Sequence, residues 1–319
     1  MTDKDFINCP VCSSAFDSQQ TRRMDYPLGA QAGAGTLPRP HLIYFCPHCE
    51  TGIAFPCMDE QVIDDLYTDG DYWRTYKVQI LRPHKNPGPY AMARARWQFV
   101  AGHLGVDFLH RDLSILDIGG GHGFFGMAAR QSRHVRLKAY CVVEKDKFFR
   151  DSLKLTWARY YPQTTCRVVD ALEQVQGTFD VVVLSHLLEH LNDPKLMIQR
   201  AVQKLSPRGF LFVDVPNGDH SFKKDVFPHV LFYNTANLAA LLRAAGLEVK
   251  AAECFGRNRQ WASQRAHGQH RTMVFLEKVF YKFRHVIPVL VSQPFFSWYF
   301  QARRKNPDGT WIRALAHKA

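Results

Sequence analysis

The sequence of 319 residues predicts an α/β protein built on a doubly wound, mostly parallel sheet of seven strands in a Rossmann-like arrangement. Three observations predict it. The apolar run Ile115-Leu116-Asp117-Ile118 leads into glycines at 119, 120, 121, 123 and 126, and Phe124 to Arg130 then has helical composition. This is a strand, a glycine loop and a helix start, in which backbone N–H groups approach a ligand closely. Strand-like and helical runs then alternate over roughly 160 residues, as in open α/β sheets. Finally, acids close the second and third strands: Glu144, 21 residues after Gly123, and Asp170.

Composition bounds the rest. With 46% hydrophobic and 13% aromatic residues the chain has a substantial core, and its length suits one large domain plus an accessory module. No uninterrupted apolar run approaches the roughly 18 residues of a membrane span. Residues 1–6 lack the apolar core of a signal peptide, so the expected location is cytoplasmic, with reduced thiols. The formal charge of +12 is uneven: from Phe280 onward seven Lys/Arg face one acid, Asp308. That pattern describes a basic tail or a solvated basic surface.

Taken in order, residues 1–60 form a metal-binding module. Cys9-Pro-Val-Cys12 and Cys46-Pro-His-Cys49 are paired C-x-x-C knuckles. Two residues between sulfurs let one turn present both thiolates to one zinc ion. A redox role is the alternative, but no βαβ pattern surrounds either pair. His48 and Cys57 are substitute ligand candidates, and Leu28 to Pro40 reads as an inserted loop. A closed four-thiolate site implies a structural zinc rather than a catalytic one. Residues 61–89 are a linker with aromatic anchors, Tyr72, Trp73 and Tyr76.

Residues 90–278 are the α/β domain, opening on a helix from Tyr90 to Leu104. Strands are expected at Ser114–Ile118, Ala139–Val143, Thr165–Val169, Phe179–Leu184, Phe210–Val215, Leu247–Ala251 and Thr272–Leu276. Helices are expected at Phe148–Tyr160, Leu196–Lys204 and Thr235–Ala245, the last stopped by Gly246. Residues 279–319 are a basic, aromatic helical tail, with Pro288 and Pro294 dividing it into short helices. Apolar and aromatic residues beside Arg303, Arg304 and Lys305 suit either peripheral contact with the inner face of a membrane or a homodimer interface.

Together these residues resemble the class I S-adenosylmethionine-dependent methyltransferases. Asp117 and Gly119-x-Gly121-x-Gly123 match the first motif of that family, Glu144 its ribose-binding acid, and Asp170-Ala171 its adenine-side segment. Ser185 to Pro194 match the segment after strand four. The resemblance implies S-adenosylmethionine as cofactor, held by Asp117, Gly119, Gly121, Gly123, Glu144, Asp170, Ala171 and Ser185. An NAD-binding dehydrogenase is the nearest rival, and an antiparallel final strand, expected at Thr272, separates the two. The paired knuckles and aromatic linker look like those of zinc-containing methyltransferases of sugar and glycan biosynthesis. A small-molecule, sugar or glycan acceptor is therefore expected, methylated on oxygen or carbon. An RNA methyltransferase is the alternative, less favoured because the basic residues lack aromatic interleaving for base stacking. A non-catalytic zinc adaptor is the third reading.

Methyl transfer is an in-line displacement that needs the acceptor aligned and its proton removed. The base belongs at the carboxyl edge of the sheet, where His186, Glu189, His190 and His229 are the candidates; Asp214, Asn217 and Tyr233 lie nearby in sequence. Within this set His186 or His229 is favoured as the base, and Glu189-His190 as a helix anchor. His186-x-x-Glu189-His190 with a later His229 also resembles the Glu-x-x-Glu-His pattern of metal-dependent O-methyltransferases, with one carboxylate replaced by His.

Overall fold

The computed structural model describes residues 6–28, 41–68, 86–105, 108, 111–132, 135–283 and 286–319. The expected linker aromatics Tyr72, Trp73 and Tyr76, and most of the expected loop before His41, lie outside the described residues.

The central sheet is assembled from β6 (Asp112–Ile118), β7 (Arg136–Val143), β8 (Thr165–Val169), β9 (Phe179–Ser185), β10 (Leu205–Pro216), β12 (Leu247–Asn258) and β13 (Gly309–Lys318). Its order is β12-β13-β10-β9-β6-β7-β8, parallel from β8 through β10, with β13 antiparallel to both neighbours. The order reverses at β6, so the crevice that receives a ligand opens above its carboxyl end. Strand residues alternate between two apolar layers. Leu116, Ile118, Val182 and Leu184 face one side, and Ile115, Val142, Val181 and Val183 the other. Burial on both faces is what a parallel sheet covered by helices requires.

Helices α2 (Pro87–His103), α3 (Phe124–Arg130) and α4 (Lys147–Tyr160) cover the second face. On the other lie α5 (Pro194–Gln203) and α6 (Thr235–Ala244), which follows a short strand, β11 (Leu231–Phe232). Local chemistry fixes their starts: Asp146 accepts from the N–H groups of Phe148 and Phe149, and Asn234 with Asn237 closes a reciprocal cap on α6.

Three expectations are corrected by the structure. Thr272–Leu276 is not a strand; it lies within the helix α8 (Arg271–Lys282), which follows α7 (Arg259–Ala266). A five-residue apolar run does not distinguish strand from helix by periodicity. The seventh strand is β13, near the end of the chain, so the sheet extends beyond residue 278 and the tail is not all helical. Arg313 at its centre interrupts an otherwise apolar run and hid it. Pro294 also does not divide the tail, because α9 (Val289–Phe300) runs through it.

The N-terminal strands β1 (Phe6–Asn8) and β2 (Ala15–Asp17) form a hairpin, followed by β3 (Arg23–Asp25), β4 (Leu42–Phe45) and β5 (Gly52–Phe55). These lead into the helix α1 (Glu60–Thr68). Strands β3, β4 and β5 form an antiparallel sheet whose fourth member is β11, contributed from within the α/β region. The module is thus hydrogen-bonded into the larger domain rather than tethered to it.

Candidate active site

The glycine loop closes β6. Gly119 and Gly121 have φ of +73° and +49°, angles that exclude most side chains. The Gly119 N–H donates to the Val143 carbonyl at 2.8 Å, holding the loop over the neighbouring strand. The Gly121 N–H donates to Glu144 Oε2 at 2.8 Å, and the Asp146 N–H donates to Glu144 Oε1 at 3.0 Å. Burial pushes the Glu144 carboxyl up, while these backbone donors oppose the shift. Asp117 is buried to 2% exposure and accepts from Tyr140 Oη at 2.6 Å. Burial raises its carboxyl to about 6, against the pull of that hydrogen bond.

These groups border a cavity of about 790 Å³, within the range of small-molecule sites. Asp117, Gly119, Gly121, Glu144, Asp170, Ala171, Ser185, His186 and His190 all line it. Gly123, Glu189 and His229 are not among its lining residues. Gly123 serves packing instead: a Cβ there would meet Leu153 of α4 at 2.5 Å.

Opposite the glycine loop, His186 follows β9 in a left-handed conformation, φ +53°, which costs on the order of 1 kcal/mol or more for a residue with a β-carbon. Its N–H is fixed by the Asp214 carbonyl at 2.8 Å. The ring lies between two buried carboxylates, with Nδ1 3.0 Å from Glu189 Oε1 and Nε2 3.4 Å from Asp214 Oδ1. Asp214 Oδ2 accepts from Arg96 Nε at 3.0 Å and Arg313 Nε at 3.1 Å. Burial would push the Asp214 carboxyl up; Arg96, Arg313 and His186 outweigh it and hold it below the usual carboxylate range. Glu189 is likewise held down by His186, His190 and His229 against its burial.

Glu189 and His190 sit in a single tight turn, Leu188–His190, that precedes α5. His190 is buried, and its ring centroid lies 4.7 Å from that of His229. Tyr67 Oη of α1 is within 3.3 Å of both ring nitrogens of His190. Burial and the neighbouring His229 push His190 down to about 3, so it is a neutral imidazole at neutral pH. His229 Nδ1 lies 3.0 Å from Asp219 Oδ2. One potential ligand atom each from Glu189, His190 and His229 lies within 4.8 Å of the others, a spacing that could hold a metal ion. Glu189 Oε2 is buried and makes no hydrogen bond. The remaining sequence candidates are engaged elsewhere: Asn217 Nδ2 donates to the Gly309 carbonyl at 2.8 Å, and Tyr233 Oη to the Leu188 carbonyl at 3.2 Å.

Sequence reasoning missed the rest of the wall. Arg96 and Arg313 lie far from Asp214 along the chain, and their only signal was a charge within an apolar pattern. Tyr281, Phe300 and Trp311, from α8, α9 and β13, line the cavity beside Gly88, Pro89 and Met92 of α2.

In the N-terminal module Cys9, Cys12, Cys46 and Cys49 converge, with Sγ to Sγ distances of 3.6 Å for Cys9–Cys49 and for Cys12–Cys46. Zn–S bonds of about 2.3 Å arranged tetrahedrally place sulfurs about 3.8 Å apart, so the cluster fits that ion. The hydrogen bond between Cys9 and Cys49 pushes the Cys9 thiol up and draws the Cys49 thiol down. Neither His48 nor Cys57 belongs to the cluster.

Residues 87–252 match the family described as a methyltransferase domain, and the chain belongs to that family. It is an S-adenosylmethionine-dependent methyltransferase. Among curated proteins it is similar to the ubiquinone biosynthesis O-methyltransferase of Neisseria meningitidis serogroup C, 24% identical over 177 residues covering 48% of this chain and 70% of that protein. It is also similar to the enzyme of that name from Marinobacter nauticus, 29% identical over 112 residues covering 28% of this chain and 44% of that protein. Among solved structures, magnesium protoporphyrin IX methyltransferase from Synechocystis PCC 6803 with bound SAH is similar, at 11% identity and a TM-score of 0.48, covering 82% of this chain and 100% of that one.

Proposed function

We propose that this chain transfers the methyl group of S-adenosylmethionine to a hydroxyl on a largely apolar, ring-containing small molecule. The observation that carries the acceptor class is the wall to which Met92, Tyr281, Phe300 and Trp311 contribute apolar and aromatic side chains. A sugar or glycan, expected from the sequence, would need polar partners for its many hydroxyls, which this wall supplies sparsely. The curated relatives, named as O-methyltransferases of ubiquinone biosynthesis, support the oxygen acceptor.

The donor lies over the glycine loop. Glu144, already oriented by Gly121 and Asp146, accepts from the ribose hydroxyls, and Asp170 accepts from the adenine amino group. Asp117, the remaining loop glycines, Ala171 and Ser185 shape the rest of its cradle. His186 is the base. Its ring, between Glu189 Oε1 and Asp214 Oδ1, takes the hydroxyl proton as the acceptor oxygen attacks the methyl carbon and the carbon–sulfur bond breaks. The products are the methyl ether and S-adenosylhomocysteine. Glu189 and Asp214 stabilise the charge the ring gains. The four thiolates of Cys9, Cys12, Cys46 and Cys49 hold a structural zinc.

A second reading rests on the Glu189, His190 and His229 cluster. A divalent cation held there would polarise the acceptor hydroxyl as a Lewis acid. One assay tests both readings: labelled methyl transfer to a panel of phenols, catechols and nucleotide sugars, with and without a chelator of hard divalent ions too weak to strip zinc from the four thiolates. Transfer to a phenolic acceptor that survives chelation is the expected result. Transfer only to nucleotide sugars would overturn the acceptor class, and loss with chelator restored by magnesium would favour the metal-assisted reading.

A further inference from the structure

Amphipathic helices normally turn their apolar stripe inward, but α8 turns one outward. Phe275, Leu276, Val279 and Phe283 fall within about a third of the helix circumference. Phe275 and Phe283 are 63% and 46% exposed. On the adjoining segments Val286, Val291 and Trp298 are 74%, 53% and 56% exposed. Large apolar side chains clustered this way on a surface mark a contact site rather than scattered exposure.

Charge identifies what makes the contact. Arg271, Lys278 and Lys282 form an exposed stripe beside the apolar one, and Arg303, Arg304 and Lys305 follow α9, all exposed. Over residues 271–305 the sequence has seven Lys/Arg and one acid, Glu277, which is bound to Arg265 at 2.6 Å. A second copy of the chain, docked through the same face about a two-fold axis, would bring this cationic cluster against itself. An anionic bilayer surface accepts both features, apolar side chains at the acyl boundary and cations among the headgroups. No helix among the described residues is long and apolar enough to cross a membrane, so the contact is with one face.

The hairpin is built for this on its other side. Phe280 of α8 stacks on Phe295 of α9 with centroids 3.9 Å apart, Phe296 and Tyr299 are buried, and Gln293 Nε2 donates to the Pro87 carbonyl of α2 at 3.1 Å. Tyr281 and Phe300 reach inward to the cavity. We propose that the α8–α9 hairpin docks on an anionic lipid bilayer and places the mouth of the cavity at the membrane surface. With the apolar acceptor class proposed above, on which only this last clause rests, the acceptor then enters from the lipid phase.

The test is co-sedimentation of the full chain with vesicles of phosphatidylcholine alone or with about 30% phosphatidylglycerol, at low and high salt. Binding to the anionic vesicles only, weakened by salt, is expected. Phe275→Glu/Phe283→Glu and, separately, Lys278→Glu/Lys282→Glu should each lower it at least tenfold while the circular dichroism spectrum and binding of S-adenosylhomocysteine are unchanged. No sedimentation with either vesicle, or binding that both variants retain, overturns the proposal. So does a concentration-dependent dimer in sedimentation velocity that Phe275→Glu/Phe283→Glu dissolves, which would assign the face to a second copy. Because no outcome depends on catalysis, failure here leaves the methyl-transfer reading standing, and failure of that reading leaves this one.

Discussion

Removing the zinc proposed for the four-cysteine cluster, by a strong chelator or by Cys46→Ser, is expected to unfold strands β1 to β5 and to loosen the proposed catalytic wall with them. Structural zinc contributes about 10–16 kcal/mol to small modules of this kind, more than their cores can replace. The hydrophobic residues that remain, among them Phe16, Ile43, Phe45 and Ile53, would have to hold short strands on their own. The effect does not stop at the module. The Ala54 N–H donates to the Val230 carbonyl at 2.9 Å, Tyr26 Oη donates to the His229 carbonyl at 2.8 Å, and β5 pairs with β11. Limited proteolysis with and without chelator checks this: rapid cleavage within the first 60 residues, together with a lowered melting temperature of the whole chain, is expected. Unchanged cleavage and melting after verified metal loss would mean that the cysteines do not carry the module.

His186→Ala is expected to lower the rate of methyl transfer by about 10²- to 10⁴-fold, the range for loss of a general base, with affinity for S-adenosylhomocysteine changed by less than about threefold. The left-handed conformation at His186 and its bond to the Asp214 carbonyl aim the ring into the cavity. Among the described residues His186 is the cavity-lining partner that Glu189 and Asp214 share. Single-turnover kinetics with a phenolic acceptor, under saturating donor, separates the chemical step from binding. A rate within a few fold of the natural chain would remove His186 from the chemistry and return attention to His190 and His229.

What the sequence revealed and what it hid follow from distance along the chain. The glycine loop, Glu144 and Asp170 were legible because the turn after a buried strand needs glycine, and the next two strands must end beside it. The cysteine knuckles were legible because ligand spacing within a turn is local. The Arg96–Asp214–Arg313 network was not, because its arginines approach Asp214 from 118 and 99 residues away. Strand β13 was hidden for a related reason: Arg313 is fully buried there only because Asp214 on the paired strand neutralises it. Thr272–Leu276 misled in the opposite sense, since its apolar residues form a helix on which Phe275 and Leu276 are exposed. The aromatic wall formed by Tyr281, Phe300 and Trp311 needed the tertiary fold, because α8 and α9 return to α2 only in three dimensions.

Glu144 is the group proposed to hold the donor ribose. Calorimetric titration of S-adenosylhomocysteine into the natural chain and into Glu144→Gln tests this most directly. Replacing the carboxylate weakens charge-assisted hydrogen bonds of about 1.5–3 kcal/mol, so the dissociation constant should rise roughly 10- to 100-fold at unchanged 1:1 stoichiometry. An affinity within twofold of the natural chain would contradict the placement of the donor over Gly119 to Glu144.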